Sequence, residues 1–198
     1  IFLTTALCLI AFMGMADTNP FINNGGISST PIPGPSPKVE LSFIFGNSGT
    51  DPIAASTVLD ESDPIIIKVS LANGYVDDTY AMDPSTAVSG VGAFYFTWTY
   101  DATTRTFTGT QITTIPGRNA ADPLNPTGIV GPIVIKYRAQ VATTIAQPNN
   151  GFSANLTSNG NAPNGPGTNN INDDYVMSKS YVEGALPVTL SKFDVQKE

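Results

Sequence analysis

Three short acidic groups come closest, in residue type and spacing, to a chemical site in this chain. They are Asp60–Asp63 (DESD), Asp77–Asp78 (DD) and Asn172–Asp174 (NDD). Calcium prefers oxygen-rich loops of this kind, so we take Asp60, Glu61, Asp63, Asp173 and Asp174 as weak calcium candidates. None of the groups has the spacing of a dedicated calcium-binding loop. Solvated turn and cap residues are the alternative interpretation.

The chain lacks the residues that other common catalytic mechanisms use. The chain contains no histidine, which removes the commonest general base and the commonest transition-metal ligand. Paired carboxylates can cleave a glycosidic bond when they are held roughly 5–10 Å apart, but nothing in the sequence brings two of them together in a cleft. We therefore expect no enzymatic activity and no cofactor, with calcium as the one weak exception.

The most aromatic segment of the chain alternates large and small residues. Over residues 92–100 (GAFYFTWTY), a strand would place Phe94, Phe96, Trp98 and Tyr100 on one face. If that face met water, it would be a platform for stacking carbohydrates. We expect core packing instead, because a β-sandwich needs bulky inward residues on its central strands.

Further alternating or β-branched runs surround this segment and are separated by turn signals. They predict strands at residues 39–45, 65–71, 105–113, 129–141, 152–157, 175–182 and 186–195. Residues 101–104 predict a hairpin turn, and Gly131-Pro132 predicts a bulge. No amphipathic helix is evident. The fold class is therefore all-β, as an antiparallel Greek-key, immunoglobulin-like sandwich, with a jelly roll as the alternative.

Composition changes divide the chain into four parts. Residues 1–16 are apolar, and residues 17–38 carry five prolines and three glycines, which predicts an extended N-terminal arm. Residues 39–184 form the sandwich domain, and residues 185–198 form a last strand or junction. Within the domain, residues 158–172 are a low-complexity loop with no means of packing a core.

The apolar ends of the chain are the predicted contact segments. Residues 1–16 look like a secretory signal or, if retained, like a strand donated to the sheet edge of another copy. They are shorter than the roughly 20 residues that a transmembrane helix needs. Cys8 is the only cysteine, so no internal disulfide forms. The partner-contact candidates are Ile1, Phe2, Leu3, Leu7, Ile10, Phe12, Leu186, Val188 and Leu190.

Charge excludes nucleic acid as a partner. The net charge is −7 and only 13% of the residues are charged. No basic cluster is present that could neutralise a run of phosphates. The remaining composition, rich in Gly, Pro, Asn, Ser and Thr, is typical of β proteins.

Two stretches resemble known families. The segment from Tyr100 to Asn155 resembles the immunoglobulin-like modules that are repeated in large bacterial surface proteins and adhesins. Residues 185–198 (ALPVTLSKFDVQKE) are similar to the LPVTL-type junction of secreted Bacteroidetes proteins. In those proteins the junction precedes the C-terminal region associated with type IX secretion.

These resemblances imply a secreted protein at the cell surface. The expected function is a structural subunit of an extracellular appendage or filament that assembles through strand edges and terminal segments. Its expected partners are copies of itself or other surface proteins. The alternative is a monomeric adhesin or carbohydrate-binding module that presents loops on the sandwich, in which case glycans are the partners.

Overall fold

A computed structural model describes residues 18–28, 38–55, 64–122, 124–139, 150–158 and 171–180. In these ranges the chain forms ten strands and four short 3-10 turns, and no helix is long and apolar enough to cross a membrane. The strands are β1 Pro20–Ile27, β2 Lys38–Asn47, β3 Ile65–Leu71, β4 Gly74–Tyr75, β5 Val88–Ser89, β6 Phe96–Asp101, β7 Thr106–Gln111, β8 Ile129–Ala139, β9 Asn150–Ser158 and β10 Tyr175–Ser180.

The strands form two antiparallel sheets. One sheet has the order β1-β2-β8-β4, with β5 also paired to β8, and the other has the order β10-β9-β3-β7-β6. The consecutive strands β2 and β3 lie in different sheets, where they pair with β8 and β9. This crossing of two strand pairs is the Greek-key arrangement of immunoglobulin domains. The predicted immunoglobulin-like sandwich is therefore confirmed, and the jelly roll is not the fold.

The core lies between the two sheets and follows directly from the alternation of the sequence. Along β3, the side chains at 65, 67, 69 and 71 are buried, and those at 66, 68 and 70 face outward. On the first sheet, a buried row runs along β2 at 39, 41, 43 and 45. Phe45 meets Phe96 of the opposite sheet edge to face, with ring centroids 5.1 Å apart. Such pairs stabilise the fold beyond the area that they bury.

The prediction of an extended N-terminal arm is wrong for residues 20–27. Pro20–Ile27, within the segment assigned to an arm, is the edge strand β1 and pairs with β2. Phe21 and Ile22 are buried in the sandwich, and Pro20 begins the strand, where its missing N–H breaks no ladder bond. A bulge between Asn23 and Gly26 interrupts the alternation that would have revealed the strand.

The other strand predictions are confirmed within a few residues, except that β2 extends to Asn47 and that residues 92–95 are not a strand. β6 and β7 form the predicted hairpin. The bulge predicted at Gly131-Pro132 lies where the β2–β8 register shifts, next to Phe45. The predicted strand at 186–195 and most of the 158–172 loop lie outside the described residues.

A crossover segment, residues 76–95, runs from the first sheet to the second. It contains 3-10 turns at Asp78–Tyr80, Pro84–Ala87 and Val91–Tyr95, as well as β5. The turn at Pro84–Ala87 contacts β6, and its Ala87 is buried. The crossover segment therefore closes the side of the sandwich that β6 borders.

Candidate functional site

The outer strand β6 ends the second sheet, and the crossover segment lies beside it. It is the last strand of its sheet, and among the described residues only β7 pairs with it. Natural sheets protect an edge with lysine, proline or a bulge, or cover it with a loop or helix. β6 (FTWTYD) has no lysine, proline or bulge, but the 3-10 turn Pro84–Ala87 of the crossover segment packs against it.

The hydrogen-bond pattern between β6 and β7 shows which backbone groups of β6 point away from β7. The Ile112 N–H donates to the Tyr95 carbonyl at 2.9 Å, so the bonds to β7 repeat from Tyr95 at every second residue. The groups of Phe96, Trp98 and Tyr100 therefore point away from β7. Of these, the Phe96 N–H already donates to the Ala93 carbonyl. Phe96 and Trp98 are only 4% and 8% exposed, so little of this outward backbone meets solvent.

The side chains on β6 alternate between the core and the surface. Phe96 and Trp98 are buried, and the Trp98 indole N–H donates to the Ala93 carbonyl at 3.1 Å. Trp98 is only 8% exposed, so it cannot serve as a glycan-stacking platform. Thr97 and Thr99 face solvent.

The predicted aromatic ladder is wrong at its first member. Phe94 lies in the 3-10 turn Val91–Tyr95 rather than in a strand, and it is 74% exposed. Gly90, at φ +99°, precedes this turn and redirects the chain. Phe94 therefore leaves the face that Phe96 and Trp98 share. Ile112, whose backbone N–H donates to the Tyr95 carbonyl, is also exposed and extends the apolar surface beside Phe94.

Two apolar grooves lie between β6 and the crossover segment. The first, here called the edge groove, has a volume of about 380 Å³ and includes Val88, Phe94 and Ile112 in its lining. The second, the hairpin groove, has a volume of about 330 Å³ and includes Tyr75, Tyr100 and Arg105. Residues of β6 thus form one wall of each groove, and residues of the crossover segment form another.

The outer face of the β6–β7 hairpin is rich in threonine. The residues on this face are Thr97, Thr99, Thr106, Thr108 and Thr110. They stand on alternate positions of two paired strands, so their hydroxyl groups form a regular polar surface.

An ion pair holds the crossover segment on the first sheet. The Asp77 carboxylate is buried and lies 2.7 Å from the Arg138 Nε and 3.4 Å from the Lys38 Nζ. Hydrogen bonds from Thr79 and the nearby Arg138 lower the pKa of Asp77 from 3.8 to about 2. This contact ties the start of the crossover segment to β2 and β8.

We expect Asp77→Asn to reduce the acid sensitivity of the fold. Because the folded pKa is about 2 and the usual value is 3.8, the ionised carboxylate stabilises the protein above that usual value and loses this effect as the pH falls toward the folded pKa. Urea unfolding between pH 5 and pH 2 should show a shallower loss of stability for the variant. Asp78→Asn, at the neighbouring exposed aspartate, is the control, and an equal change in that control would contradict the assignment.

The predicted calcium candidates do not converge in the described residues. Asp60, Glu61 and Asp63 lie outside them. Asp173 accepts a hydrogen bond from the Asn19 side chain at 3.4 Å, and the Asp174 carbonyl accepts one from the Leu156 N–H at 2.8 Å. The described ranges contain no group of three or more acidic or cysteine side chains that could hold a metal ion. Calcium binding stays a prediction.

The predicted contact residues lie beyond the described part of the chain at both ends. They are Ile1, Phe2, Leu3, Leu7, Ile10, Phe12, Leu186, Val188 and Leu190. The surface that the structure adds, the β6 edge with Phe94 and Ile112, was not among the sequence candidates. Gly90 and Gly92, on either side of Val91, are the sequence feature that could have indicated that residues 91–95 do not belong to the strand.

No family model and no curated protein matches this chain. One similar solved structure is the major pilin subunit BcpA of Bacillus cereus, with 11% identity and a TM-score of 0.43. That match covers 83% of this chain but only 40% of the pilin chain. Another is AvmM, which catalyses macrocyclization in alchivemycin A biosynthesis, with 12% identity over 91% of this chain and 97% of that chain and a TM-score of 0.29. At these TM-scores neither neighbour bears on what this chain binds or does.

Proposed function

We propose that this protein is a structural subunit of an extracellular, cell-surface assembly and that it acts by associating with copies of itself rather than by catalysis. The observation that carries the proposal is the exposed apolar surface at Phe94 and Ile112, two side chains that both line the edge groove. Exposed apolar surface beside a groove is a feature of sites at which proteins contact one another.

The sequence supports the extracellular part of the proposal. Residues 1–16 are signal-like, and residues 185–198 resemble the junction found in secreted Bacteroidetes proteins. Residues 185–198, and residues 1–16 where they are retained, carry the apolar residues that would supply further contacts between subunits. An assembly longer than a dimer needs at least two interfaces on each subunit, and the surface at Phe94 and Ile112 together with a terminal contact meets that need.

The proposal predicts concentration-dependent assembly of the full chain. Light scattering after size exclusion and negative-stain microscopy should show species larger than a monomer. Replacing Leu186, Val188 and Leu190 together by serine should shorten these assemblies, with the melting temperature measured alongside to separate a loss of assembly from a loss of folding. Removing residues 1–38 is not a valid test, because β1 belongs to the fold. A monomer at all concentrations would overturn the proposal.

A second candidate function rests on the threonine-rich face of the β6–β7 hairpin. A flat array of hydroxyl groups on a rigid sheet offers many hydrogen bonds to a polar ligand such as a glycan. A chain that stays monomeric and binds glycans through Thr108 and Thr110 would favour this candidate over assembly.

A further inference from the structure

We propose that the hairpin groove binds a small aromatic carboxylate, whose acid group pairs with Arg105 while its ring lies on the apolar lining of the groove. This inference goes beyond the proposed self-association and does not depend on it. Three features of the described chain support it: a half-buried guanidinium without an ion pair, the apolar lining beside it, and the backbone conformation of Arg105.

Arg105 carries a positive charge that no carboxylate of the described residues pairs with. The basic side chains that form ion pairs in this part of the chain are Lys38, Lys136 and Arg138. Of the other basic side chains whose burial the structure describes, Lys68 and Arg118 are exposed, and only Arg105 is half-buried. A partly desolvated guanidinium without an ion pair is costly, and an anionic ligand would offset that cost.

The aspartates that adjoin the groove in sequence bind other groups. They are Asp77, Asp83 and Asp101. Asp77 lies 2.7 Å from the Arg138 Nε. The carboxylates of the other two accept hydrogen bonds from backbone N–H groups two residues further along the chain, at 3.1 Å and 2.8 Å. Arg105 is therefore left to an external anion.

The groove offers an apolar surface of suitable size beside this charge. Its volume is about 330 Å³, at the lower end of the range for ligand pockets, so it suits a single ring better than a long chain. Apart from Arg105, its lining residues are apolar or aromatic: Tyr75, Val76, Ala81, Pro84, Tyr100 and Ala102. The ring of a ligand can pack against these side chains while its acid group meets the guanidinium.

The pKa of Tyr100 reflects the same surroundings. Burial raises the pKa of the Tyr100 hydroxyl above its usual value of 10.0, and the positive charge of Arg105 partly offsets this rise. The hydroxyl therefore stays protonated at neutral pH and is a second hydrogen-bond donor in the groove. A guanidinium and a neutral hydroxyl together suit the two oxygens of a carboxylate.

The backbone of Arg105 adopts a conformation that suits other residues better. Its φ is +54°, in the left-handed region, where glycine or asparagine causes less strain. The turn itself uses only the Arg105 backbone, whose carbonyl accepts from the Leu71 N–H at 3.0 Å. Strained residues of this kind cluster at ligand-binding sites. A role for the guanidinium accounts for an arginine at this position, whereas the turn does not.

A comparison of an acid with its neutral counterpart tests the charge pairing. Binding of hydrocinnamate and of hydrocinnamyl alcohol to the full chain at pH 7 is measured by ligand-observed NMR titration, which detects weak binding in any assembly state. We expect a dissociation constant of about 1 mM or below for the acid. The alcohol should bind at least about tenfold more weakly, because it lacks the charge-assisted hydrogen bonds.

Arg105→Asn removes the guanidinium and introduces a residue that tolerates a positive φ. We expect it to weaken binding of the acid at least about tenfold and to leave binding of the alcohol unchanged, which shows that the groove is intact. Arg105→Gly, which is also free of strain at this φ, should behave in the same way. Arg118→Asn is the matched control, since Arg118 is exposed in the loop between β7 and β8 and should keep wild-type affinity.

The remaining outcomes overturn the inference. They are equal binding of acid and alcohol by the wild type, no binding of either, and an equal loss in Arg118→Asn, which would indicate general attraction to positive charge. A short peptide that ends in phenylalanine with a free carboxylate is the last probe. If it bound at least about tenfold more tightly than hydrocinnamate, the groove would take a chain terminus instead of a small molecule. Light scattering tests the proposed function separately, and a monomeric chain that binds the acid would overturn only that function.

Discussion

We expect Gly128→Ala to lower the free energy of unfolding by about 3 kcal/mol or more. Gly128 has a φ of +78°, which residues with a Cβ rarely adopt. A Cβ at this position would also overlap the backbone carbonyl of Asn47. Because that obstacle is backbone, it cannot rotate away, and β2 would have to move. Urea denaturation with an unchanged m-value measures the effect.

The loss of stability extends beyond Gly128, because Asn47 is hydrogen-bonded to several segments of the chain. The Asn47 N–H donates to the Gly128 carbonyl at 2.8 Å, and its buried side chain accepts from the Asn19 N–H at 2.9 Å and the Gly49 N–H at 3.1 Å. Moving the Asn47 backbone therefore strains the end of β2 and the residues before β1. Gly26→Ala is the control, since a Cβ there meets nothing within 4 Å. Equal stability of the two variants would contradict this account.

The parts of the fold that the sequence predicts are those where burial alternates strictly. β3 and β8 follow a period of two over most of their length, and the hairpin turn at residues 101–104 joins two such runs. β1 escaped prediction because its Pro, Asn and Gly residues are typical of loops. Its burial depends on Phe21 and Ile22 meeting β2, a contact that local sequence does not encode.

The candidate site was harder to predict, because an edge strand is defined by what does not pair with it. β6 and β3 have similar alternating sequences, but β3 lies between β7 and β9 while β6 ends the sheet. That difference depends on long-range strand order. Likewise, Phe94 continues the alternation of Phe96 and Trp98 in sequence, and only the 3-10 turn removes it from the core.

We expect Gln111→Ala to cost about 3 kcal/mol of stability, even though Gln111 looks like an ordinary polar residue at a strand end. Its side chain is buried, and its Oε1 accepts from the Ile65 N–H at 3.2 Å. Its Nε2 donates to the Ile53 carbonyl at 3.0 Å and to the Thr113 carbonyl at 3.0 Å. One amide thus satisfies backbone groups from three segments, and its removal leaves them without that partner in a buried place. Thermal and urea unfolding measure the loss.

Gln111→Glu separates hydrogen bonding from packing. The shape is nearly unchanged and an oxygen still faces the Ile65 N–H, but the other atom becomes an acceptor facing the carbonyls of Ile53 and Thr113. We expect a loss similar to that of Gln111→Ala at pH 7, since a buried carboxylate with one oxygen facing two carbonyl oxygens is costly. Thr110→Ala, on the outer face of the same strand, should stay within about 0.5 kcal/mol of wild type. If Gln111→Glu were as stable as wild type, the two Nε2 bonds would contribute nothing, and the backbone bridge between Ile53 and Ile115 would have to hold that end of the sandwich alone.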